Sequence, residues 1–233
     1  MAEPLALFAT LPKPRPVPGI DLRCCGVEDL LAEVRGVRLI MADPPWRYGN
    51  APGVANPEEE GIYQGLGDSE IAAHLDAAFD CAHPAGARLA CWYTWPKDAE
   101  WTRAGGAGPR WGERVTGGAW VKTGNKIGVG YHWRGQSEPV AIFTRGTTGR
   151  PNEVVLNGWA SEPEGHSEKP IPWMRSWIRA WTDPGDLVLD LYAGLGSVAR
   201  ACLAEGRRYV GAEIDPERHA AALAKLAAFR REG

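Results

Sequence analysis

The chain has 233 residues, of which 44% are hydrophobic and 24% charged, a composition that predicts a folded globular protein with a substantial core and disfavours a disordered chain. No stretch approaches the roughly 18 apolar residues of a membrane-spanning helix, and the start lacks the pattern of a signal peptide, so we expect a cytoplasmic protein. Five cysteines without Cys-x-x-Cys spacing indicate neither a disulfide framework nor a zinc site, and no metal is expected. The net charge of −3 argues against a strong nucleic-acid binder, although residues 88–150 carry 10 basic and 4 acidic side chains.

The predicted elements follow one another in a pattern typical of an α/β protein. Residues 1–19 are rich in proline and predict an extended arm, whereas residues 20–233 are expected to form a single domain. Hydrophobic periodicity predicts helices at 26–34, 68–80, 170–181, 197–205 and 216–230. It predicts strands at 37–42, 88–94, 116–122, 139–144, 187–191 and 208–213. The closing strand–helix–strand–helix run indicates a mostly parallel sheet flanked by helices, with long loops at 47–67 and 105–118.

Eleven tryptophans outnumber both the tyrosines and the phenylalanines, and their spacing predicts different uses. Trp173, Trp177 and Trp181 recur every four residues, which predicts the buried face of a helix. A second group lies within an inserted basic and aromatic region near 96–134, where stacking on nucleobases is expected; it comprises Trp101, Trp111, Trp120 and Trp133. The basic residues of this region that we expect to contact nucleic acid are Lys97, Arg110, Arg114, Lys122, Lys126 and Arg134. A solvated surface with chance clustering of charge is the alternative.

A short glycine-rich turn follows the predicted strand at 187–191. Gly194 and Gly196 would let the backbone turn tightly at the amino end of a helix, and Asp190 begins the turn. Glu213 ends the next strand, where its carboxylate could accept hydrogen bonds from both ribose hydroxyls of a nucleoside cofactor. A Walker lysine is absent and Ala199 replaces the third glycine of the dinucleotide fingerprint, so S-adenosylmethionine is favoured over a triphosphate or dinucleotide. A purely structural turn is the alternative.

Asp43-Pro44-Pro45-Trp46 directly follows a predicted buried strand. The prolines stiffen the turn and remove two backbone donors, so the Asp43 carboxylate and the Pro44 carbonyl could accept both N–H groups of an exocyclic amine. Trp46 could stack on the ring that carries the amine. This arrangement requires the target base to leave its stack and enter a pocket. An ordinary Asp-Pro-Pro turn is the alternative.

These two motifs, together with residues 134–140 and 166–170, resemble the permuted beta class of amino-methyltransferases, in which the catalytic tetrapeptide precedes the cofactor loop. The resemblance is to the branch that includes the catalytic subunit of the messenger-RNA adenine methyltransferase and the DNA adenine methyltransferases of phages and bacteria. It implies a Rossmann-like class I methyltransferase fold with circularly permuted motif order. By position, it assigns the target adenine to Asp43, Pro44, Pro45 and Trp46. It assigns S-adenosylmethionine to Lys169, Asp190, Tyr192, Gly194, Gly196 and Glu213, with Lys169 near its carboxylate and Tyr192 where the class usually has Phe.

The resemblance implies methyl transfer to N6 of adenine in DNA, because the glycine-rich loop is intact here as in the DNA-modifying branch. An RNA adenine methyltransferase shares all of these motifs, and a catalytically silent nucleic-acid-binding subunit is a further alternative. A cytosine-modifying enzyme more often carries Ser at the position of Asp43. The oligomeric state stays open between a monomer, a homodimer and a heterodimer, and no membrane partner is expected.

Overall fold

The computed structural model describes residues 18–47, 65–103, 106–124, 135–163 and 168–232. The strands are β1 (Ile20–Cys24), β2 (Leu39–Ala42), β3 (Gly86–Trp92), β4 (Thr116–Lys122), β5 (Ser137–Gly146), β6 (Gly158–Ser161), β7 (Leu187–Asp190) and β8 (Arg208–Glu213). The helices are α1 (Val27–Glu33), α2 (Asp68–Ala77), α3 (Trp95–Arg103), α4 (Ile171–Trp181), α5 (Ser197–Glu205) and α6 (Pro216–Glu232), with a short 3-10 helix after α2. The predicted proline-rich arm and most of the predicted 47–67 loop lie outside the described residues.

All eight strands form one sheet in the order β1-β8-β7-β2-β3-β5-β4-β6. The first five strands in this order, β1, β8, β7, β2 and β3, run parallel to one another. Strand β5 is antiparallel to both β3 and β4, and β6 is parallel to β4. The sheet is therefore mostly parallel, as the sequence predicts. All four residues of β2 are buried, because helices cover both faces of a parallel sheet.

The chain reverses its direction of travel across the sheet between β2 and β7. After β2 it continues to β3 on one side, and after β7 it continues to β8 on the other. In open α/β sheets, ligands bind in the crevice outside the carboxyl ends of the strands at such a switch point. The two predicted motifs follow these two strands, so the fold brings them to one crevice.

Helix α4 packs its tryptophan face into the core, as its spacing predicts. The ring of Trp177 stacks on Trp92 of β3 with centroids 5.1 Å apart, and Trp173 meets Trp177 edge-on at 4.5 Å. Trp173 and Trp177 are buried, whereas Trp181 is only partly buried at the end of the face. Aromatic packing thus anchors α4 to one face of the sheet, and α5 lies beside it.

Most predicted elements are present within a few residues, and β4, α5 and β8 have the predicted bounds. The elements β1, α3 and β6 were not predicted from the sequence. Two of these are the edge strands of the sheet, and α3 begins at Trp95, shortly after the end of β3 at Trp92, with Pro96 in its first turn. The region near 96–134, predicted as an inserted loop region, contains helix α3 as well as strand β4. Within the described residues, no helix is long and apolar enough to cross a membrane.

Candidate active site

A cavity of about 530 Å³ opens at the carboxyl ends of β2, β7 and β8. Its lining includes nearly all predicted substrate and cofactor residues, namely Asp43, Pro44, Pro45, Trp46, Lys169, Asp190, Tyr192, Gly194 and Glu213. Gly196 does not line the cavity but forms the N-cap of α5 beneath it. The fold therefore joins two motifs that lie about 150 residues apart in the sequence.

The glycine-rich turn after β7 depends on positive backbone φ angles. Gly194 has φ +53° and Gly196 has φ +77°, a region that side chains with a Cβ rarely adopt. A Cβ at Gly194 would lie 3.4 Å from the guanidinium of Arg218, which also lines the cavity. At the end of β8, Oε1 of Glu213 accepts a hydrogen bond from the Asp215 amide at 2.9 Å, which orients this carboxylate at the cavity wall. The turn and Glu213 together form one end of the cavity.

Asp190 is a buried carboxyl group at the base of this end. It accepts a hydrogen bond from the Tyr209 hydroxyl at 3.2 Å, and burial raises its pKa to about 7. Gly211 makes room for this contact, because a Cβ there would lie 2.1 Å from the Tyr209 hydroxyl oxygen. Asp190 thus lines the cavity as a nearly buried carboxyl group, only 3% exposed.

Tyr192 takes part in a hydrogen-bond chain that the sequence did not suggest. Its hydroxyl lies 2.9 Å from Nδ1 of His74 in α2, and Nε2 of His74 lies 2.8 Å from a carboxylate oxygen of Glu28 in α1. Burial raises the pKa of Tyr192 well above its ordinary value, so the phenol stays protonated. The hydroxyl that distinguishes Tyr192 from phenylalanine therefore ties the cofactor turn to the two helices on that face of the sheet.

The tetrapeptide after β2 is held by its own backbone. The Pro44 carbonyl accepts a hydrogen bond from the Trp46 amide at 2.9 Å, and the Pro45 carbonyl accepts one from the Leu66 amide at 2.7 Å. The Pro44 carbonyl was predicted to be free to accept the amine, but it already accepts this one hydrogen bond. A carbonyl oxygen can accept a second. The Trp46 indole donates to the Trp92 carbonyl at 3.1 Å and is only 3% exposed. Little of its ring is available at the surface of the cavity.

Four alternating charges link the tetrapeptide to the antiparallel part of the sheet. The Lys169 ammonium bonds Oδ2 of Asp43 and lies 3.0 Å from Oε2 of Glu138, whose other oxygen bonds Lys122. Lys169 was predicted beside the cofactor's carboxylate, and that role stays a prediction, but its ammonium already has two carboxylate partners. Lys122, predicted to contact nucleic acid, is the last member of this chain of charges and pairs with Glu138. Glu138 belongs to the segment that carries the resemblance, yet no role was assigned to it.

The charges fix the protonation states of this network. Burial would raise the pKa of Glu138, but the flanking Lys169 and Lys122 lower it to about 2. Burial lowers the pKa of Lys169, yet the charges of Asp43 and Glu138 more than offset this effect and raise it overall. Burial raises the pKa of Asp43, against the opposing influence of Lys169. Lys169 and Glu138 are therefore charged at neutral pH, and Asp43 is a stronger base than an ordinary aspartate.

The other predicted nucleic-acid contacts do not line the cavity, and each described one is in an ion pair. Lys97 lies 3.1 Å from Asp68, Arg110 contacts Asp76 and Asp80, and Arg114 contacts Asp98. Lys126 and Arg134 lie outside the described residues. The role of these residues in binding nucleic acid stays a prediction.

The expectation that the second tryptophan group stacks on nucleobases is wrong for its described members. Trp101, Trp111 and Trp120 are 1%, 4% and 0% exposed, because Trp101 and Trp111 pack into one hydrophobic cluster of the core and Trp120 packs into the other. Trp133 lies outside the described residues. By contrast, Trp95, which was not singled out, is 58% exposed.

Solved structures of methyltransferases share this fold. The chain is similar to M1.HpyAVI, solved in complex with SAM, with a TM-score of 0.66 and 16% identity over 89% of this chain and 98% of that one. It is similar to PvuII DNA methyltransferase (cytosine-N4-specific), with a TM-score of 0.62 and 15% identity over 92% and 94%. At these identities the likeness shows the fold alone.

A narrower likeness comes from sequence. The model of a DNA methylase family matches residues 119–224, which run from within β4 to within α6 and include the glycine-rich turn. The type II methyltransferase M.HhaII of Haemophilus parahaemolyticus is 33% identical over 97 residues, which are 38% of this chain and 42% of that protein. The chain thus spans less than half the length of this curated relative.

Proposed function

We propose that this protein transfers a methyl group from S-adenosylmethionine to the exocyclic amino group of a base in DNA, and that the base is adenine. The observation that carries the proposal is the cavity that joins Asp43-Pro44-Pro45-Trp46 to the glycine-rich turn and Glu213. The match to the DNA methylase family model and the likeness to M.HhaII support DNA as the substrate.

The residues that line the cavity, and its size, suit S-adenosylmethionine. Its volume of about 530 Å³ is in the range of roughly 300–1,000 Å³ that small-molecule sites occupy. Glu213 can accept hydrogen bonds from ribose hydroxyls, and the adjacent Ile214 is exposed against the cavity, where its apolar surface can pack on an adenine ring. The positive φ of Gly194 lets the backbone approach the ligand closely. When bound, S-adenosylmethionine supplies an electrophilic methyl group on a sulfonium leaving group.

Asp43 orients the acceptor amine. Its Oδ2 is bonded to Lys169, and among the described residues Oδ1 has no partner, so Oδ1 is free to accept an N–H of the target amine. The second N–H can go to the remaining acceptor site of the Pro44 carbonyl. Accepting both N–H groups directs the nitrogen lone pair towards the methyl group, so catalysis consists mainly of positioning. The amine loses one proton after transfer, and Asp43 can accept it because its pKa is raised by burial.

The choice of adenine over cytosine rests on Asp43. A carboxylate at the first position of the tetrapeptide is the pattern that the resemblance associates with adenine, whereas the cytosine-modifying enzymes more often carry Ser. PvuII shows that this fold also serves cytosine-N4 chemistry, so the base is a proposal drawn from the tetrapeptide.

The test is methyl transfer from labelled S-adenosylmethionine to single- and double-stranded DNA and RNA, followed by nucleoside analysis. N6-methyladenine in DNA is the expected product. N4-methylcytosine would contradict the choice of base, RNA labelling without DNA labelling would contradict the substrate, and cofactor binding without any transfer would indicate a silent subunit.

A paired variant tests the role of Asp43. Asp43→Asn should lose at least about 100-fold in kcat, because the proposed role of the carboxylate is to bind the target amine. The affinity for S-adenosylmethionine should not change, because Asp43 has no proposed contact with the cofactor. Asp98→Asn is the matched control, since Asp98 is also an ion-paired carboxylate but does not line the cavity. Transfer at the parent rate by Asp43→Asn would refute the assigned role.

A further inference from the structure

Trp95 stands at the border of the cavity with much of its ring in solvent. It is the first residue of α3 and directly follows Tyr93 and Thr94, which line the cavity. Among the exposed large apolar side chains of the described residues, Trp95 is the one aromatic, at 58% exposure. Exposed tryptophan surface is unfavourable in water, so a ligand that covers this ring would gain free energy from its burial.

The ring is held in place although it is exposed. Its indole N–H donates to the Ser137 hydroxyl at 2.9 Å, and its edge meets the Tyr93 ring at 6.3 Å and 75°. Tyr93 is fixed in turn by Arg114, whose guanidinium donates to the tyrosine hydroxyl at 2.8 Å. The polar group of Trp95 is thus satisfied within the protein, and the exposed part is apolar ring. A ligand that covers the ring would therefore bind with little loss of side-chain conformational entropy.

The place of Trp95 in the sheet puts it beside the amine-binding side of the cavity. Strand β3 pairs with β2, so the ends of both strands lie at the same edge, where Asp43 follows β2. Ser137, the hydrogen-bond partner of Trp95, precedes Glu138, which lines the cavity. Trp95 is therefore flanked on both strands by cavity residues, but it does not line the cavity itself. A base whose amine reaches Asp43 lies inside the cavity, and its neighbour in the strand remains outside it.

We propose that Trp95 is a stacking platform for the nucleobase next to the target base in the substrate strand. Stacking there holds the strand at the mouth of the cavity while the target base is out of its stack. The proposal rests on the proposed function and deepens it, because it assigns a binding subsite for the nucleic acid to a residue outside the predicted contacts. The buried tryptophans of the second group cannot serve in this way.

The first test compares Trp95→Ala with Trp95→Phe by fluorescence anisotropy on a labelled DNA oligonucleotide and by steady-state kinetics. Trp95→Ala should weaken DNA binding by about 5- to 150-fold, which is the effect of one lost base-aromatic stack. The KM for DNA should rise accordingly, with kcat and the dissociation constant for S-adenosylmethionine little changed. Trp95→Phe should restore most of the affinity. Val154→Ala is the control, since Val154 is 90% exposed and apolar but does not line the cavity.

A second test separates stacking from a structural role. An oligonucleotide with an abasic site next to the mapped target should bind the parent protein as weakly as intact DNA binds Trp95→Ala. The abasic site should have little further effect on that variant, because ring and base act as one pair in a double-mutant cycle. Equal losses from the abasic site in both proteins would overturn the proposal, as would parent-like DNA affinity in Trp95→Ala.

The two proposals can fail separately. DNA methylation by the parent with an unchanged KM in Trp95→Ala refutes the stacking subsite and leaves the proposed function intact. DNA binding that depends on Trp95, without any methyl transfer by the parent, refutes the proposed function and supports the subsite. Absence of DNA binding by the parent refutes both.

Discussion

Glu138→Gln tests the chain of charges behind Asp43, because the substitution keeps the shape of the side chain and removes its charge. Glu138 lies between two lysines, with Oε2 3.0 Å from the Lys169 ammonium, and its pKa is about 2 against an ordinary value of 4.5. Each pKa unit corresponds to about 1.4 kcal/mol, so the ionised carboxylate stabilises the fold by about 3 kcal/mol. Glutamine should therefore lower the free energy of unfolding at pH 7 by about this amount.

The pH dependence has a definite sign. The folded protein lowers the pKa of this acid, so its stabilisation is fully present above about pH 4.5 and is lost as the pH falls towards 2. The difference in unfolding free energy between the parent and Glu138→Gln should be largest at pH 7 and should shrink below about pH 4.5. Urea unfolding at pH 7 and at pH 3.5 measures both values.

The same variant should change the pH profile of activity. Burial and, to a smaller extent, the charge of Glu138 raise the pKa of Asp43, so Glu138→Gln should move the acid limb of kcat/KM to lower pH. Lys122→Met is the opposing variant, because it removes a positive charge that lowers the pKa of Asp43, so it should move this limb to higher pH. A stability loss below about 1 kcal/mol at pH 7, or a loss that is equal at both pH values, would refute the reasoning.

Three further predictions concern the floor and the core of the site. Gly211→Ala should lower the urea midpoint sharply, because its Cβ would lie 2.1 Å from the Tyr209 hydroxyl oxygen, and adding Tyr209→Phe should recover part of the loss. Trp111→Phe should cost about 1–3 kcal/mol of unfolding free energy, since it removes the buried 2.7 Å hydrogen bond to the Leu75 carbonyl, and DNA affinity should not change. Asp190→Asn should gain stability relative to the parent as the pH rises from about 4 to 7, because burial raises the pKa of Asp190 to about 7, so that in this range the unfolded parent ionises this carboxyl group while the folded parent keeps it protonated. Equal pH dependence of unfolding in the parent and Asp190→Asn would contradict this account.

Local sequence was enough to predict the elements that carry the site. The short run of apolar residues before Asp43 favours a buried strand over a helix, and glycines at 194 and 196 supply the positive φ angles that the turn requires. The alternation of strand and helix near the end then sets a parallel sheet, because a strand and the next parallel strand need a crossover between them. These signals are local or periodic, so they can be read without knowing what lies across the core.

The tertiary structure decided which of the charged and aromatic side chains act together. A stretch with interleaved tryptophans and basic residues is compatible with a stacking surface and with an ordinary amphipathic helix, and packing of α3 against the core selected the second for Trp101. Trp95 lies in the same helix as Trp101, among similar residues, but it is the first residue of the helix and is exposed.

The sequence by itself determined the mostly parallel sheet, the tetrapeptide after β2 and the glycine-rich turn after β7. Only the tertiary structure decided that Lys169, Glu138 and Lys122 form consecutive ion pairs that begin at Asp43. The three residues come from three separate segments of the chain. The tertiary structure also decided that Tyr192 is tied to His74. Ion pairs and hydrogen bonds of this kind depend on distances in space, which residue spacing does not encode once the partners lie on different elements.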